Sequence, residues 1–247
     1  MSEHRCYYQN LTKNDAQLSI SDAQELHHLV HVLRAKANEP IEVFNGKGLT
    51  GHGVIVAASR KEMQISLRSF LEEKPLKPLL VLACAIPKRS KFETIIEKCT
   101  ELGVDEIIPL KTKRTEISGS LETLNHKKKR YEEVAMNACK QSKRSFLPKI
   151  QPIMPLESML TTITPEDMSL LGCLQKDSRR LADIPFPQIK KVNKIYILIG
   201  PEGDFTDEET TFALEKGCIP ITLGPNILKV ETAAISTMAY LMLLIRS

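Results

Sequence analysis

Two short stretches of this 247-residue chain combine residue types that can hold a ligand by its edges. Ile199-Gly200-Pro201-Glu202-Gly203 and Leu223-Gly224-Pro225-Asn226-Ile227-Leu228 each close a β-rich apolar run with a Gly-Pro turn. Glycine lets backbone come close to a ligand because it carries no Cβ. Free N–H and C=O groups around Gly200, Gly203 and Gly224 can read the edge of a purine, with Ile199, Leu223, Ile227 and Leu228 as apolar walls. The same glycines serve equally well as tight turns that lead into capped helices. No G-x-x-x-x-G-K-[ST] occurs, so P-loop chemistry has no support.

The elements that must position these turns alternate in type. Leu79–Ile86, Glu106–Leu110, Asp167–Leu174, Lys194–Ile199 and Ile219–Leu223 are apolar runs of strand length. Between and after them lie four helical patterns. Ser90–Leu102 puts Phe92, Ile95, Ile96, Cys99 and Leu102 on one face, with Ser90 and Glu93 as a capping box and Gly103 as its stop. Asn125–Ser142 is long, with basic residues at 127–130 near its start. Thr206–Lys216 has Thr206 and Glu209 as a second capping box and Gly217 as its end. Glu231–Ile245 is apolar almost all round. This alternation predicts an α/β domain with a mainly parallel sheet. In such sheets ligands bind outside the carboxyl ends of the strands, so the two Gly-Pro exits, on neighbouring strands, are expected to wall one pocket.

The first part of the chain reads differently. Ile41–Phe44, Gly53–Ala57 and Met63–Leu67 are strand-like, and Asn45-Gly46-Lys47-Gly48 is a hairpin turn. Two prolines and several charges between Glu72 and Pro78 mark a boundary. The expected organisation is a small β-barrel over residues 1–73 and the α/β domain over 74–247.

Composition narrows the class. Hydrophobic residues make up 42% and charged residues 26%, enough for a packed core. The longest apolar stretch, Met238–Ile245, is far short of the ~20 residues that span a bilayer, so no membrane partner is expected. The six cysteines include no C-x-x-C, and the first ten residues hold no apolar signal core. Reduced thiols in a cytoplasmic protein follow. His27, His28 and His31 share one apolar-periodic stretch that argues for core contact rather than a metal, and no metal is expected. Net charge is +4, but residues 75–150 carry sixteen basic against nine acidic residues. That concentration is the footprint of a polyanion binder, or else a solvated helical face.

Taken with three further blocks, the two exits resemble the signature of the RsmE family, the 16S rRNA (uracil-N3)-methyltransferases of the SPOUT superfamily. The second exit continues as Lys229-Val230-Glu231-Thr232-Ala233. Val32-Leu33-Arg34 with Phe44-Asn45-Gly46 is similar to the family's PUA-like N-terminal domain. Lys88 and Lys98-Cys99-Thr100-Glu101-Leu102-Gly103-Val104 are similar to its K…KATELGV block. Ala138-Cys139-Lys140-Gln141-Ser142, with Arg144 and Pro148, matches a third block. The resemblance implies a trefoil-knotted domain, S-adenosyl-L-methionine as cofactor, a homodimer, and 16S rRNA or the small ribosomal subunit as partner. Five departures stand out. Asp204 takes the place of a second Gly, Asn226 and Lys229 replace two arginines, and Lys140 and Lys143 stand where Glu and Gly are common.

The same resemblance assigns Ile199, Gly200, Pro201, Glu202, Gly203, Leu223, Gly224, Ile227 and Leu228 to the cofactor. Uracil N3 carries a proton, so its methylation requires a base or cations that stabilise the developing anion. Glu231, directly after the pocket loop, is the first candidate base and Glu202 the second. Arg144 and Lys229 are candidates for charge stabilisation or phosphate contact, and Arg34 and Lys36 for RNA contact from the barrel. A SPOUT enzyme with another RNA target and a non-catalytic ribosome assembly factor remain open on the same residues.

Overall fold

A computed structural model gives the protein's structure at residues 4–88, 91–115, 121–173, 175, 178–185, 189 and 191–246. Its contacts divide the chain into two units, Met1–Pro75 with Cys139–Leu147, and Leu76–Ala138 with Pro148–Ser247. The return of Cys139–Leu147 to the first unit is a feature that a single cut in the sequence does not express.

The first unit holds β1 (His4–Tyr7), β2 (Gln17–Ile20), α1 (Ala23–Leu26), a π-helical turn over His27–Val32, β3 (Pro40–Phe44), β4 (Leu49–Ala58) and β5 (Met63–Glu72). They form one sheet in the order β1-β3-β4-β5-β2. Only β1–β3 is parallel; the other pairs are antiparallel. Ile41, Val43, Ile55, Met63, Ile65 and Leu67 form its buried face, together with Leu26 and Leu29 from the helical stretch. Two bulges in the β4–β5 ladder bend the sheet over that core. At one of them a Cβ on Gly53 would lie 2.0 Å from Ser66 O, so only glycine fits. The expected Asn45–Gly48 turn joins β3 to β4, with Gly46 and Gly48 at φ 71 and 100. Gly46–Gly51 does spell G-x-G-x-x-G, but it leads into β4 and not into a helix, so it is no dinucleotide fingerprint. The returning segment is stitched to this turn by Leu147 N–H to Gly46 O (2.9 Å) and Gly48 N–H to Ser145 O (3.2 Å). Sequence alone missed β1 and β2, each only four residues long.

The second unit holds β6 (Leu79–Ala85), α2 (Lys91–Glu101), β7 (Glu106–Lys111), α3 (Leu121–Gln141), β8 (Lys149–Ile150), β9 (Met154–Pro155), α4 (Leu156–Leu160), β10 (Met168–Gly172), β11 (Arg179–Arg180), β12 (Lys194–Ile199), α5 (Asp207–Glu215), β13 (Ile219–Thr222) and α6 (Val230–Arg246). The last three residues of α3 belong by contact to the first unit. The sheet runs β11-β13-β10-β12-β6-β7-β8, with β9 also on β7, and every pairing is parallel. This corrects one expectation: β12 and β13 are not neighbours, because β10 lies between them. Apolar runs report burial but not lateral order, so the sequence could not rank these strands.

Helix boundaries follow their signals. Phe92, Ile95, Ile96 and Cys99 are the buried stripe of α2, and Gly103 follows at φ 92. The Ser90 cap lies outside the described residues. The capping box of α5 is complete: Thr206 Oγ1 accepts from Glu209 N–H, and Glu209 returns to Thr206 N–H. Val230, Ala234, Met238 and Leu241 recur at helical spacing on the buried side of α6, which contacts α2, β6 and β12.

Candidate cofactor site

At the carboxyl ends of β10, β12 and β13 lies a cavity of about 280 Å³. That is near the lower end of small-molecule sites, which begin at about 300 Å³. The exit of β12 contributes Ile199, Gly200, Pro201, Glu202 and Asp204. The exit of β13 contributes Leu223, Asn226, Ile227, Leu228 and Lys229 after Ile221 and Thr222 of the strand itself. Seven of the nine residues expected at a cofactor therefore line one cavity, and Gly203 and Gly224 lie outside its lining. Gly172 and Cys173 at the end of β10, with Val230 and Ala233 of α6, complete it. Sequence alone missed these four. Gly172 carried a usable signal, a glycine closing a third apolar run; a Cβ there would meet Ile199 Cδ1 at 3.1 Å.

The β12 exit is a folded turn and not an open loop. Asp204 N–H donates to Pro201 O at 2.9 Å. Asp204 takes φ 60, and its Oδ1 accepts from Phe205 N–H at 2.8 Å. Aspartate tolerates this left-handed region because its short polar side chain bonds locally. That accounts for Asp at this left-handed position. A Cβ on Gly200 would fall 3.0 Å from that same Oδ1. Glu202 Oε1 accepts from Lys88 N–H at 3.0 Å, which ties the turn to the exit of β6.

Charge is placed around the cavity in a definite way. Lys229 is exposed in the lining. Glu231, one residue beyond Val230, is outside the lining and pairs with Lys91 at 3.0 Å. Burial opposes ionisation of Glu231, but its own backbone N–H, Lys91 and Lys229 outweigh that and hold the carboxyl below its usual value. Cys84, fully buried on β6, has its thiol pushed well up by burial, with Cys99, Glu202 and Glu231 adding to the effect. Such a thiol is inert as a nucleophile. Ile227 is 81% exposed, an unusual state for isoleucine at the edge of a cavity.

Three of the expected residues, Arg34, Lys36 and Arg144, belong to the first unit, whereas the cavity belongs to the second. Arg34 is exposed at φ 54, and Lys36 is exposed two residues on. Arg144 is half-buried, and its carbonyl accepts from Arg5 Nη2 at 3.0 Å. In the basic run on α3, Lys128 pairs with Glu132, and Arg130 with Glu93 (3.0 Å) and Glu133 (3.8 Å). Among the described residues, no three His, Cys, Asp or Glu side chains converge as a metal site needs, and no helix is long and apolar enough to cross a membrane.

A parallel sheet whose adjacent strand exits enclose a cavity of small-molecule size is the arrangement of a ligand-binding α/β domain. A family model described as an RNA methyltransferase domain matches residues 72–242, and one described as an RNA methyltransferase PUA domain matches residues 20–68. The chain is 31% identical to ribosomal RNA small subunit methyltransferase E of Synechocystis, over 94% of this chain and 75% of that protein. To the protein of the same name from Bacillus subtilis it is 27% identical, over 95% of each. Among solved structures, that of the Neisseria gonorrhoeae ribosomal RNA small subunit methyltransferase E bound to S-adenosyl methionine superposes with a TM-score of 0.88 at 25% identity, covering 98% of both chains. A putative methyltransferase from Legionella pneumophila in complex with the same cofactor gives 0.88 at 28% identity, again over 98% of both. The chain belongs to the RsmE family of SPOUT RNA methyltransferases.

Proposed function

We propose that the chain is an S-adenosyl-L-methionine-dependent methyltransferase that methylates N3 of a specific uridine in 16S rRNA of the small ribosomal subunit. The observation that carries this reading is the cavity at the three strand exits, in a chain whose relatives are named ribosomal RNA small subunit methyltransferase E and whose structural neighbours hold S-adenosyl methionine. The lining suits the cofactor. Backbone groups of the two Gly-Pro turns can take the edge of its adenine, and Ile199, Ile221, Leu223 and Val230 its apolar surfaces. Gly172 keeps the floor open. When bound, the cofactor supplies an electrophilic methyl group on a sulfonium.

The residues of the chain do the rest. The turns orient the donor so that an incoming base can sit at about 3–3.5 Å and in line. The imide proton must leave, and the resulting anion needs positive charge. We assign this task to Lys229, which is exposed in the cavity lining, and to Arg144 a phosphate contact on bound RNA. Glu231 receives a different role from the base first considered. A carboxylate held ionised by Lys91 is a weak proton acceptor, so Glu231 acts as a fixed anion that orients Lys91 and the first turn of α6. Arg34 and Lys36 contact RNA backbone from the first unit. We further propose that the chain after β13 threads a trefoil knot, that the enzyme is a homodimer in the cytoplasm, and that it needs no metal; exposed Ile227 supports a partner surface at the cavity edge.

Calorimetry with S-adenosylhomocysteine, paired with transfer of labelled methyl to small subunits lacking the modification, tests the reading. One-site binding and stoichiometric transfer are expected. Binding without transfer to any RNA would reduce the chain to an assembly factor.

A further inference from the structure

The turn Gly200–Phe205 supplies much of the cavity lining, yet it belongs to no strand or helix. Besides its own bonds and the tie to Lys88, it is held from the turn after β7. Arg114 Nη1 donates to Gly203 O and, at 3.3 Å, to Phe205 O. These carbonyls flank Asp204, which lines the cavity at φ 60. Beside this clamp, Lys113 N–H donates to Glu209 Oε1 at 2.7 Å, while Glu209 Oε2 accepts from Thr206 N–H at 2.9 Å. One buried carboxylate thus joins both turns and caps α5. The Arg114 turn is itself closed by Thr112 N–H to Thr115 Oγ1 (3.1 Å) and Thr115 N–H to Thr112 O (3.2 Å).

We infer that Arg114 is a positioning residue for cofactor binding, fixing the two carbonyls either side of Asp204 and so the face that the turn shows to the cavity. The inference rests on the reading of this cavity as the cofactor site. It also gives Gly203 a task. Gly203 is outside the lining, but a Cβ on it would meet Arg114 Cδ at 3.3 Å, so glycine makes room for the arginine stem. Both bonds come from Nη1, whose two hydrogens are fixed in the guanidinium plane, whereas a lysine ammonium carries three donors on a flexible stem and imposes no such plane. Arg114 is exposed and does not line the cavity, so its side chain acts through the turn.

The test uses the full chain and three variants: Arg114→Ala, Arg114→Lys, and Ala233→Leu as a cavity block. Arg114→Ala is expected to weaken S-adenosylhomocysteine binding by about tenfold, the scale of a lost hydrogen bond to a charged group. It should raise KM for S-adenosylmethionine more than it lowers kcat, and leave KM for RNA and its salt dependence unmoved. Arg114→Lys should recover part of the affinity. If Arg114→Ala fails to fold, Arg114→Gln carries the same expectation, because its amide is too short to reach both carbonyls. Unchanged cofactor affinity in Arg114→Ala, while Ala233→Leu abolishes binding, would overturn the inference and leave the cavity reading standing. So would an effect confined to the RNA terms, which would make Arg114 a phosphate contact. Wild-type affinity in Ala233→Leu would remove the cavity reading and the inference with it.

Discussion

Lys91 Nζ lies 3.0 Å from Glu231 Oε1, so an ion pair joins the first residue of α2 to the first turn of α6. The pair leaves Glu231 ionised and its carboxyl below the ordinary value of 4.5, burial notwithstanding. Its contribution to stability is complete above that ordinary value and is lost as pH falls through the lower folded one. Glu231→Gln should therefore slow turnover by less than about 100-fold, the least expected when a general base is lost. The pH–rate profile between pH 6 and 9 should keep its shape. A fall in rate well beyond about 100-fold, with loss of a wild-type limb from the profile, would restore Glu231 as the proton acceptor.

The β12 exit depends on a left-handed residue at 204. Asp204→Gly removes the backbone strain but also the bond to Phe205 N–H, and the two effects should nearly cancel. Asp204→Ala keeps the strain and loses the bond. It should cost about 1–2 kcal/mol in urea unfolding and weaken S-adenosylhomocysteine binding, with Asp204→Asn between the two. Equal stability of the Gly and Ala variants would contradict this account of the turn.

Lys140 and Glu25 form an ion pair in the first unit with side chains only 9% and 8% exposed. Glu25 also accepts from Tyr7 N–H at 3.2 Å. Lys140→Met strands a buried carboxylate and should destabilise the chain by about 3–5 kcal/mol. Adding Glu25→Met should return most of that, less about 1 kcal/mol for the orphaned Tyr7 N–H. A double-mutant cycle by chemical denaturation reads the coupling. Independent effects of the two substitutions would show the pair to be incidental.

These cases show where sequence was informative and where it was not. The capping box at Thr206 and Glu209, the stops at Gly103 and Gly217 and the buried stripe of α2 are local, and local chemistry writes them into neighbouring letters. The Gly-Pro exits were visible for the same reason. The place of β10 between β12 and β13 was not, because every buried parallel strand reads as the same apolar run. Nor was the Lys91–Glu231 pair, whose members are brought together only when α2 meets α6. Cys139–Leu147 closes the list: its motif was legible, but its return to the first unit depends on bonds to Gly46 and Gly48 far away in sequence.

All six cysteines are buried and unpaired. Burial pushes the Cys99 thiol up to about 12, and the Cys139 thiol to about 11 against the smaller pull of Arg144 and Arg5. Raised folded-state values mean that stability is full below the ordinary thiol pKa and declines as pH rises past it toward the folded values. The native chain should leave all six thiols unreacted with a disulfide reagent at pH 8, and denaturant should release them together. Rapid labelling of one thiol in the native state would contradict its burial.

Nucleoside analysis of small-subunit rRNA after incubation with the purified chain and S-adenosylmethionine tests the central claim most directly. The substrate should come from a strain lacking this gene. One new 3-methyluridine per subunit is the expected result, lost in the Ala233→Leu variant. A 2′-O-methylated nucleoside, or no new methylation with the cofactor demonstrably bound, would contradict it.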